Sequence, residues 1–291
     1  MSHVFPAPEE VAGLVIRPGS ITWRRGGDPR MFLVAGYALT LQVAHPTVGS
    51  GVRDHSTFEQ APWKRLLATL DYVNLTVYGG EDAAAVGRRL RDYHKAIKGT
   101  NPDGSRYHAL EPEAYAWVHA TLVDGLVSAH QHFGRPMRPD QIERLYREWL
   151  GIGRLIGIRP GQLPPDWTGF RAYFDEMVET RLVHNETVDR VLRSLRHPKP
   201  PLDAVPDSLW AAATYPAAHV VLLSTVGLLP PVLRERFGLA WSPAQDRELR
   251  ALGAASRSLT PLIPRRFRVI GPDYLRFRRR QIARGPLSQT A

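Results

Sequence analysis

Residues 82–98 have the sequence DAAAVGRRLRDYHKAIK, in which apolar residues recur every three or four positions. This interval is the repeat of an α-helix, so the stretch predicts one helix with a buried stripe. The stripe consists of Val86, Leu90, Tyr93 and Ile97. Gly79 and Gly80 precede the helix and Gly99 follows it, as is typical of helix ends. The helix is therefore predicted to continue to Lys98.

The same period continues along most of the chain, and we expect an all-α fold. Further helices are predicted over residues 31–44, 63–78, 112–133, 139–156, 170–182, 208–228 and 243–259. The exception is residues 15–23, where Pro18 and Gly19 could form the turn of a short strand pair.

The chain has 291 residues, 43% of them apolar, which is enough to bury a substantial core. We expect one domain over residues 1–291, with a basic tail over residues 272–291 that contains Arg276, Arg278, Arg279, Arg280 and Arg284. The absence of cysteine excludes disulfides, thiolate-ligated metal centres and cysteine-held iron–sulfur clusters.

The formal net charge of +10 favours anionic partners such as phospholipid surfaces. Nucleic-acid binding is not expected, because no zinc-finger, leucine-zipper or aromatic RNA-binding motif accompanies the charge. The first residues do not resemble a signal peptide, so we expect a cytoplasmic protein, with peripheral membrane contact as an open alternative. The uncharged run over residues 208–233 is broken by prolines, which favours a buried helix over a membrane span.

His94 lies beside the buried stripe of the helix over residues 82–98. Arg91 is three residues before it and Lys98 four residues after it, so one helical face presents an imidazole between two cations. Such a face suits a haem, because imidazole is an axial iron ligand and Arg and Lys pair with propionates. The alternative is a solvated basic face with a half-buried histidine.

Arg65 and Thr69 are four residues apart on the preceding helix and therefore share a side. A guanidinium and a hydroxyl that face a pocket can orient or polarise bound dioxygen. Alternatively, Thr69 donates back to the carbonyl of Arg65, and Arg65 pairs with Glu59 or Asp71.

Three further histidines are candidates for lining a pocket. His45 ends the first apolar helix and precedes Pro46, while His55 follows a tight turn over residues 49–51. His119 lies on a strongly apolar helix, where a buried imidazole needs a hydrogen-bonding partner. The alternatives are a helix-capping role for His45 and a core position for His119.

The order of these motifs resembles the catalytic domain shared by latex-clearing rubber oxygenases and by the fungal oxygenase that cuts the farnesyl chain in mycophenolic acid synthesis. The resemblance is carried, over about residues 16–160, by His45-Pro46, Gly51-Val52, His55-Ser56, Arg65 to Thr69, Tyr78-Gly79, Arg91 to His94, Gly99, Tyr107 and Trp117 to Leu122. The later chain is similar more loosely, as at Leu229-Pro230, and the resembling core extends to residue 240.

The resemblance implies a globin-like helical domain around a pocket for haem b, and the resemblance, not the spacing, identifies the bound group as a haem. It makes His94 the proximal ligand of the iron and places Arg65 and Thr69 on the distal side as catalytic residues. Arg91 and Lys98 are then expected to pair with the propionates. His45, His55 and His119 are expected to line or brace the pocket.

The sequence departs from the rubber oxygenases at two positions. Ala68 stands where those enzymes have a lysine just before the distal threonine, and Gly49 stands near the place of their distal glutamate. Both departures argue against polyisoprene cleavage by the same mechanism.

The expected function is a haem-dependent oxidoreductase, an oxygenase that activates dioxygen opposite His94 and oxidises an apolar substrate, isoprenoid-like or aromatic. The sequence does not indicate the electron donor. The alternative is a helical protein without turnover, one that binds haem or a lipid surface.

Overall fold

The computed structural model describes residues 4–101, 103–200, 206–264, 271–273, 275 and 276. The chain is about 70% helical, which confirms the all-α prediction. Its described helices are α1 Pro8–Leu14, α2 Ile21–Arg25, α3 Met31–Ala44, α4 Pro46–His55, α5 Pro62–Tyr78, α6 Asp82–His94, α7 Pro112–Phe133, α8 Pro139–Leu155, α9 Trp167–Thr180, α10 Glu186–Arg196, α11 Asp207–Leu228, α12 Pro231–Arg236 and α13 Pro243–Leu259. Most of the predicted basic tail lies outside the described residues.

Helix α3 lies at the centre because it is apolar on nearly every side, and such a helix is stable only when surrounded. It packs against α7 and α11. The largest fully buried side chain is Trp117 of α7, whose indole Nε1 donates to the carbonyl of Leu41, 2.9 Å away. This hydrogen bond satisfies the one polar atom of the indole inside the core.

The chain bends sharply at His45-Pro46, where α3 and α4 meet at 102°. Proline is favoured at the first position of a helix, and residues 46–55 continue as α4, so the tight turn predicted after Pro46 is wrong. Gly49 is buried in α4, and a Cβ there would lie 2.5 Å from the carbonyl oxygen of Val43. The glycine therefore allows the close approach of the two helices.

Helices α5 and α6 form an antiparallel hairpin joined through Gly79 and Gly80, and Gly80 has a φ of 59°, which favours glycine. Helix α6 ends at His94, four residues before the predicted end. The chain then forms a hairpin of β1 Lys98–Thr100 and β2 Arg106–His108, in which Gly99 pairs with Tyr107. Pairing with β2 explains why the helix does not reach Lys98.

Residues 15–23 contain no strand pair, so that prediction is wrong; Ser20 caps helix α2 by accepting a hydrogen bond from the backbone of Trp23. Helix α11 is buried only in part: 22% of its apolar window is buried, and the fully buried Ser224 and Thr225 lie in its second half. By length and composition, Ser208–Leu228 could cross a membrane, as could α3 and α4 together if that bent pair were one span.

Candidate functional site

His94 is the last residue of α6, half-buried, and its two ring nitrogens have different environments. Nδ1 lies 2.7 Å from the carbonyl oxygen of Leu90, one helical turn earlier. A carbonyl only accepts hydrogen bonds, so Nδ1 carries the proton and Nε2 keeps its lone pair. Nε2 makes no hydrogen bond to any described residue. The structure thus presents a neutral imidazole with a free, oriented Nε2.

The surroundings of His94 are aromatic and cationic. Tyr115 of α7 packs edge-on against the imidazole with ring centroids 5.9 Å apart, and Tyr93 flanks it at 5.4 Å. Arg91 lies over the ring of Tyr115 at 5.5 Å and donates to the carbonyl of Gly157, 3.4 Å away. These contacts fix the end of α6 against the end of α8.

Arg65 of α5 is brought to the same place. Burial lowers the pKa of His94, and the positive charges of Arg65 and Arg91 lower it further. Arg65 is exposed to solvent, and partial desolvation lowers the pKa of its guanidinium. It forms no ion pair with a described residue: Glu59, one predicted partner, pairs instead with Arg190 at 2.5 Å.

Thr69 is exposed, and its hydroxyl donates to the carbonyl of Arg65 at 3.0 Å. This hydrogen bond within α5 was the predicted alternative to a distal role for Thr69. The hydroxyl oxygen still has accepting capacity, but the proton is engaged within α5. A distal role for Thr69 requires the hydroxyl to rotate away from that carbonyl.

Lys98 does not share the helical face of His94, which corrects the predicted arrangement of two cations around the imidazole. The residue is exposed on β1, and its carbonyl accepts a hydrogen bond from Nε2 of His55 at 3.1 Å. His55 and Lys98 therefore meet at a corner of α4 and β1, next to Arg53 and Asp54.

His45 and His119 each occupy a separate buried place. Nε2 of His45 faces Glu113 at 3.3 Å, and its Nδ1 is buried with no partner among the described residues. Burial lowers the pKa of His45, opposed by Glu113. Nε2 of His119 donates to the carbonyl of Trp149 at 2.8 Å, and burial lowers its pKa to about 4. His119 thus links α7 to α8 as a neutral core histidine.

The two departures from the rubber oxygenases have different structural settings. Ala68 is exposed on α5, where a longer side chain has room. At Gly49, by contrast, a side chain would meet the carbonyl of Val43 and the amide of Asn185, so a glutamate does not fit. The chain's packing excludes a distal carboxylate at this position.

The residues around His94 fit a haem better than a metal ion held by side chains alone. Among the described residues, no group of three or more His, Asp or Glu could hold a metal. A haem brings its own in-plane ligands and needs an axial nitrogen such as Nε2 of His94. The hydrogen bond to Leu90 is the kind of second contact that orients such a ligand. Tyr93, which flanks the imidazole, is 48% exposed, and Leu67 of α5 is 56% exposed, so apolar surface remains uncovered on both helices.

The fold and this site define a class: an α-helical protein in which an imidazole nitrogen and a nearby guanidinium both lack a partner among the described residues. The chain belongs to the family described as "ER-bound oxygenase mpaB/B'/Rubber oxygenase, catalytic domain", which it matches over residues 23–258. The match confirms the resemblance and extends past the predicted core at residue 240 into α13. It supports an oxygenase as the class of enzyme. No curated protein and no solved structure matches the chain.

The surroundings of His94 were predicted only in part from the sequence. It placed Tyr93 in the buried stripe, whereas Tyr93 is half exposed beside the imidazole. The i−4 spacing of Leu90 was available as an indication of the Nδ1 partner, because that carbonyl lies one turn below. Tyr115 lies on α7 and Gly157 follows the end of α8, and nothing in the sequence of α6 indicates either residue.

Proposed function

We propose that this protein is a haem b-dependent oxygenase with His94 as the axial ligand of the iron. The supporting observation is the oriented imidazole, whose Nδ1 proton is engaged by Leu90 and whose Nε2 is free. Membership of an oxygenase family supplies the reaction class. When bound, the haem would supply the redox-active iron at which dioxygen is activated.

In this proposal the chain's own residues orient His94 and polarise the bound oxygen species. Leu90 holds the tautomer and orientation of His94, and Arg91, fixed by Gly157, holds the end of α6. Arg65 presents an unpaired guanidinium, which can donate hydrogen bonds to a bound oxygen species or to a propionate. The propionate roles of Arg91 and Lys98 and the distal role of Thr69 stay predictions.

The substrate in this proposal is apolar, isoprenoid-like or aromatic. The uncovered side chains of Tyr93, which flanks His94, and of Leu67, which lies on the same helix as Arg65, suit such a molecule, since burying them on binding is favourable. The electron donor and the cytoplasmic location are not addressed by the geometry, and the location stays a prediction.

The test is the absorption spectrum of protein purified from haem-supplemented cells, in oxidised, reduced and carbon-monoxide-bound forms. The His94→Ala variant should lose the Soret band. The matched control is His184→Ala, which removes an exposed histidine paired with Asp189 at 2.8 Å and should keep the band. Stoichiometric haem with an unchanged spectrum in His94→Ala would remove His94 as the ligand.

A second candidate function is haem binding without turnover. The packing at Gly49 favours it, because no carboxylate can serve there as a base. Oxygen consumption, measured with a chemical reductant and isoprenoid or aromatic compounds, separates the two. Oxygen consumption that depends on both the substrate and His94 supports the oxygenase. A stable haem protein that consumes no oxygen supports haem binding without turnover.

A further inference from the structure

The first half of α11 exposes an uncharged surface to water. No Asp, Glu, Lys or Arg occurs between Ser208 and Leu228, although Leu209 is 64% and Tyr215 71% exposed. Only a narrow stripe through Trp210, Thr214 and Ala218 faces the protein. A helix that is exposed to water normally carries polar residues on its outer face, so this surface lacks, among the described residues, the partner that its composition requires.

The second half of α11 excludes a simple membrane span. Ser224 and Thr225 are fully buried, and this half packs on α3 at the centre of the fold. Drawing the whole helix into a bilayer would remove it from the core. Only about ten residues, roughly 15 Å of helix, are available for contact with another surface.

Aromatic side chains and cations surround the base of the exposed half. Trp63 packs edge-on against Trp210 with ring centroids 6.1 Å apart. Their indoles donate to the carbonyls of Lys199 and Pro198 at 2.9 and 2.8 Å. Tryptophan with one apolar and one hydrogen-bonded side is typical of membrane interfaces.

The cations are Arg193, Arg196 and Lys199, all exposed and none ion-paired with a described residue. The nearby acidic residue Glu59 is already paired with Arg190. Between these cations and α12–α13 lies a groove of about 1200 Å³ with apolar walls that include Leu222 and Trp241. Positive charge thus borders both the exposed helix and the groove beside it.

We propose that the first half of α11 docks on the surface of an anionic phospholipid bilayer. Leu209, Tyr215 and the alanines between them enter the boundary between headgroups and acyl chains, and the three cations contact lipid phosphates. A second copy of the chain is a poorer occupant, because two-fold pairing of this face would bring the same cations against each other. The proposal goes beyond haem binding and does not depend on it.

The test uses the absence of cysteine, which makes an introduced thiol the only labelling site. Ala213→Cys, on the exposed face, is labelled with an environment-sensitive fluorophore, and Arg88→Cys on α6 is the matched control. Vesicles of phosphatidylcholine with phosphatidylserine should shift the emission of the first label to the blue and leave the second unchanged. High salt should weaken the response.

A second pair of variants tests the charges. Arg196→Glu with Lys199→Glu should weaken partitioning into the anionic vesicles by more than about tenfold. The same reversal at Arg88 and Arg89, which are exposed on α6, should not. The proposal is overturned by an unresponsive Ala213 label in folded protein, or by equal binding of the charge-reversed variant. A blue shift that needs no vesicles and grows with protein concentration would assign the face to a second copy instead. The Soret band reports the haem site separately.

Discussion

At the level of single residues, one hydrogen bond determines what His94 can do. Because Nδ1 donates to Leu90, Nε2 is the only ring nitrogen available to a metal. The His94→Gly variant should therefore lose haem but regain a Soret band when imidazole is added, since the ligand would then enter the vacated space. The measurement is a titration with imidazole, followed by absorption. His184→Gly serves as the control and should bind haem without imidazole; a variant that imidazole never rescues would contradict the assignment.

His119 offers the opposite case, a histidine held within the core. Its Nε2 is engaged by the carbonyl of Trp149, so we expect haem binding to survive its replacement. His119→Ala should lower the free energy of unfolding by about 2–4 kcal/mol, since it leaves a cavity and an unpaired carbonyl. His119→Gln, which keeps an N–H donor, should lose less. Urea unfolding measures the stability of the two variants, and the Soret band measures their haem binding. A stable variant that binds no haem would show that His119 belongs to the pocket.

At the level of elements, the position of His94 depends on how closely α6 approaches α8. Gly87 lies against the carbonyl of Leu155, and a Cβ at this position would clash with it. Gly87→Ala should therefore push the helices apart, lower the free energy of unfolding by about 1–3 kcal/mol and weaken haem binding. Gly13→Ala is the control, because a Cβ there meets nothing within 4 Å. Equal stability of the two variants, measured by urea unfolding, would contradict the close contact.

The helices that could be predicted from the sequence are those with a clear apolar period, and α3, α7 and α13 begin and end as predicted. Helices α1, α2, α4, α10 and α12 were not predicted. The glycines of α4 are typical of a turn, and the helix is supported by contacts from elsewhere, as where Thr187 donates to the carbonyl of Gly49 at 2.9 Å. The length of α6 was overestimated because strand pairing to a later segment ends it. Long-range contacts of this kind leave no local pattern.

At the level of the whole molecule, seven residues were predicted from the sequence to surround His94, and the structure distributes them. Arg91 and Arg65 lie near His94, and Thr69 donates to the carbonyl of Arg65. His55 and Lys98 meet at another corner, and His45 and His119 are buried separately. Spacing predicts which residues share a helix face, but it does not predict which faces meet. The order of the motifs could indicate the family because it is read along the sequence and does not depend on which helix faces meet.

The distribution of buried histidines also predicts how the whole fold responds to acid. Burial lowers the pKa of His119 and His130 from 6.5 to about 4, and it lowers those of His45 and His94 as well. Below pH 6.5 the unfolded chain therefore binds more protons than the folded one, so stability is fully present above that pH and is lost as the pH falls towards 4. His119 and His130 each change the free energy of unfolding by up to about 1.4 kcal/mol per pH unit in that range.

Urea unfolding at a series of pH values between these limits measures that slope. The His119→Gln variant keeps an N–H donor but does not titrate, so it should reduce the slope by about one proton relative to the unmodified chain. The comparison is made without haem, because a ligand on Nε2 of His94 would itself couple stability to pH. Equal slopes in the two proteins would mean that His119 is not held neutral within the fold.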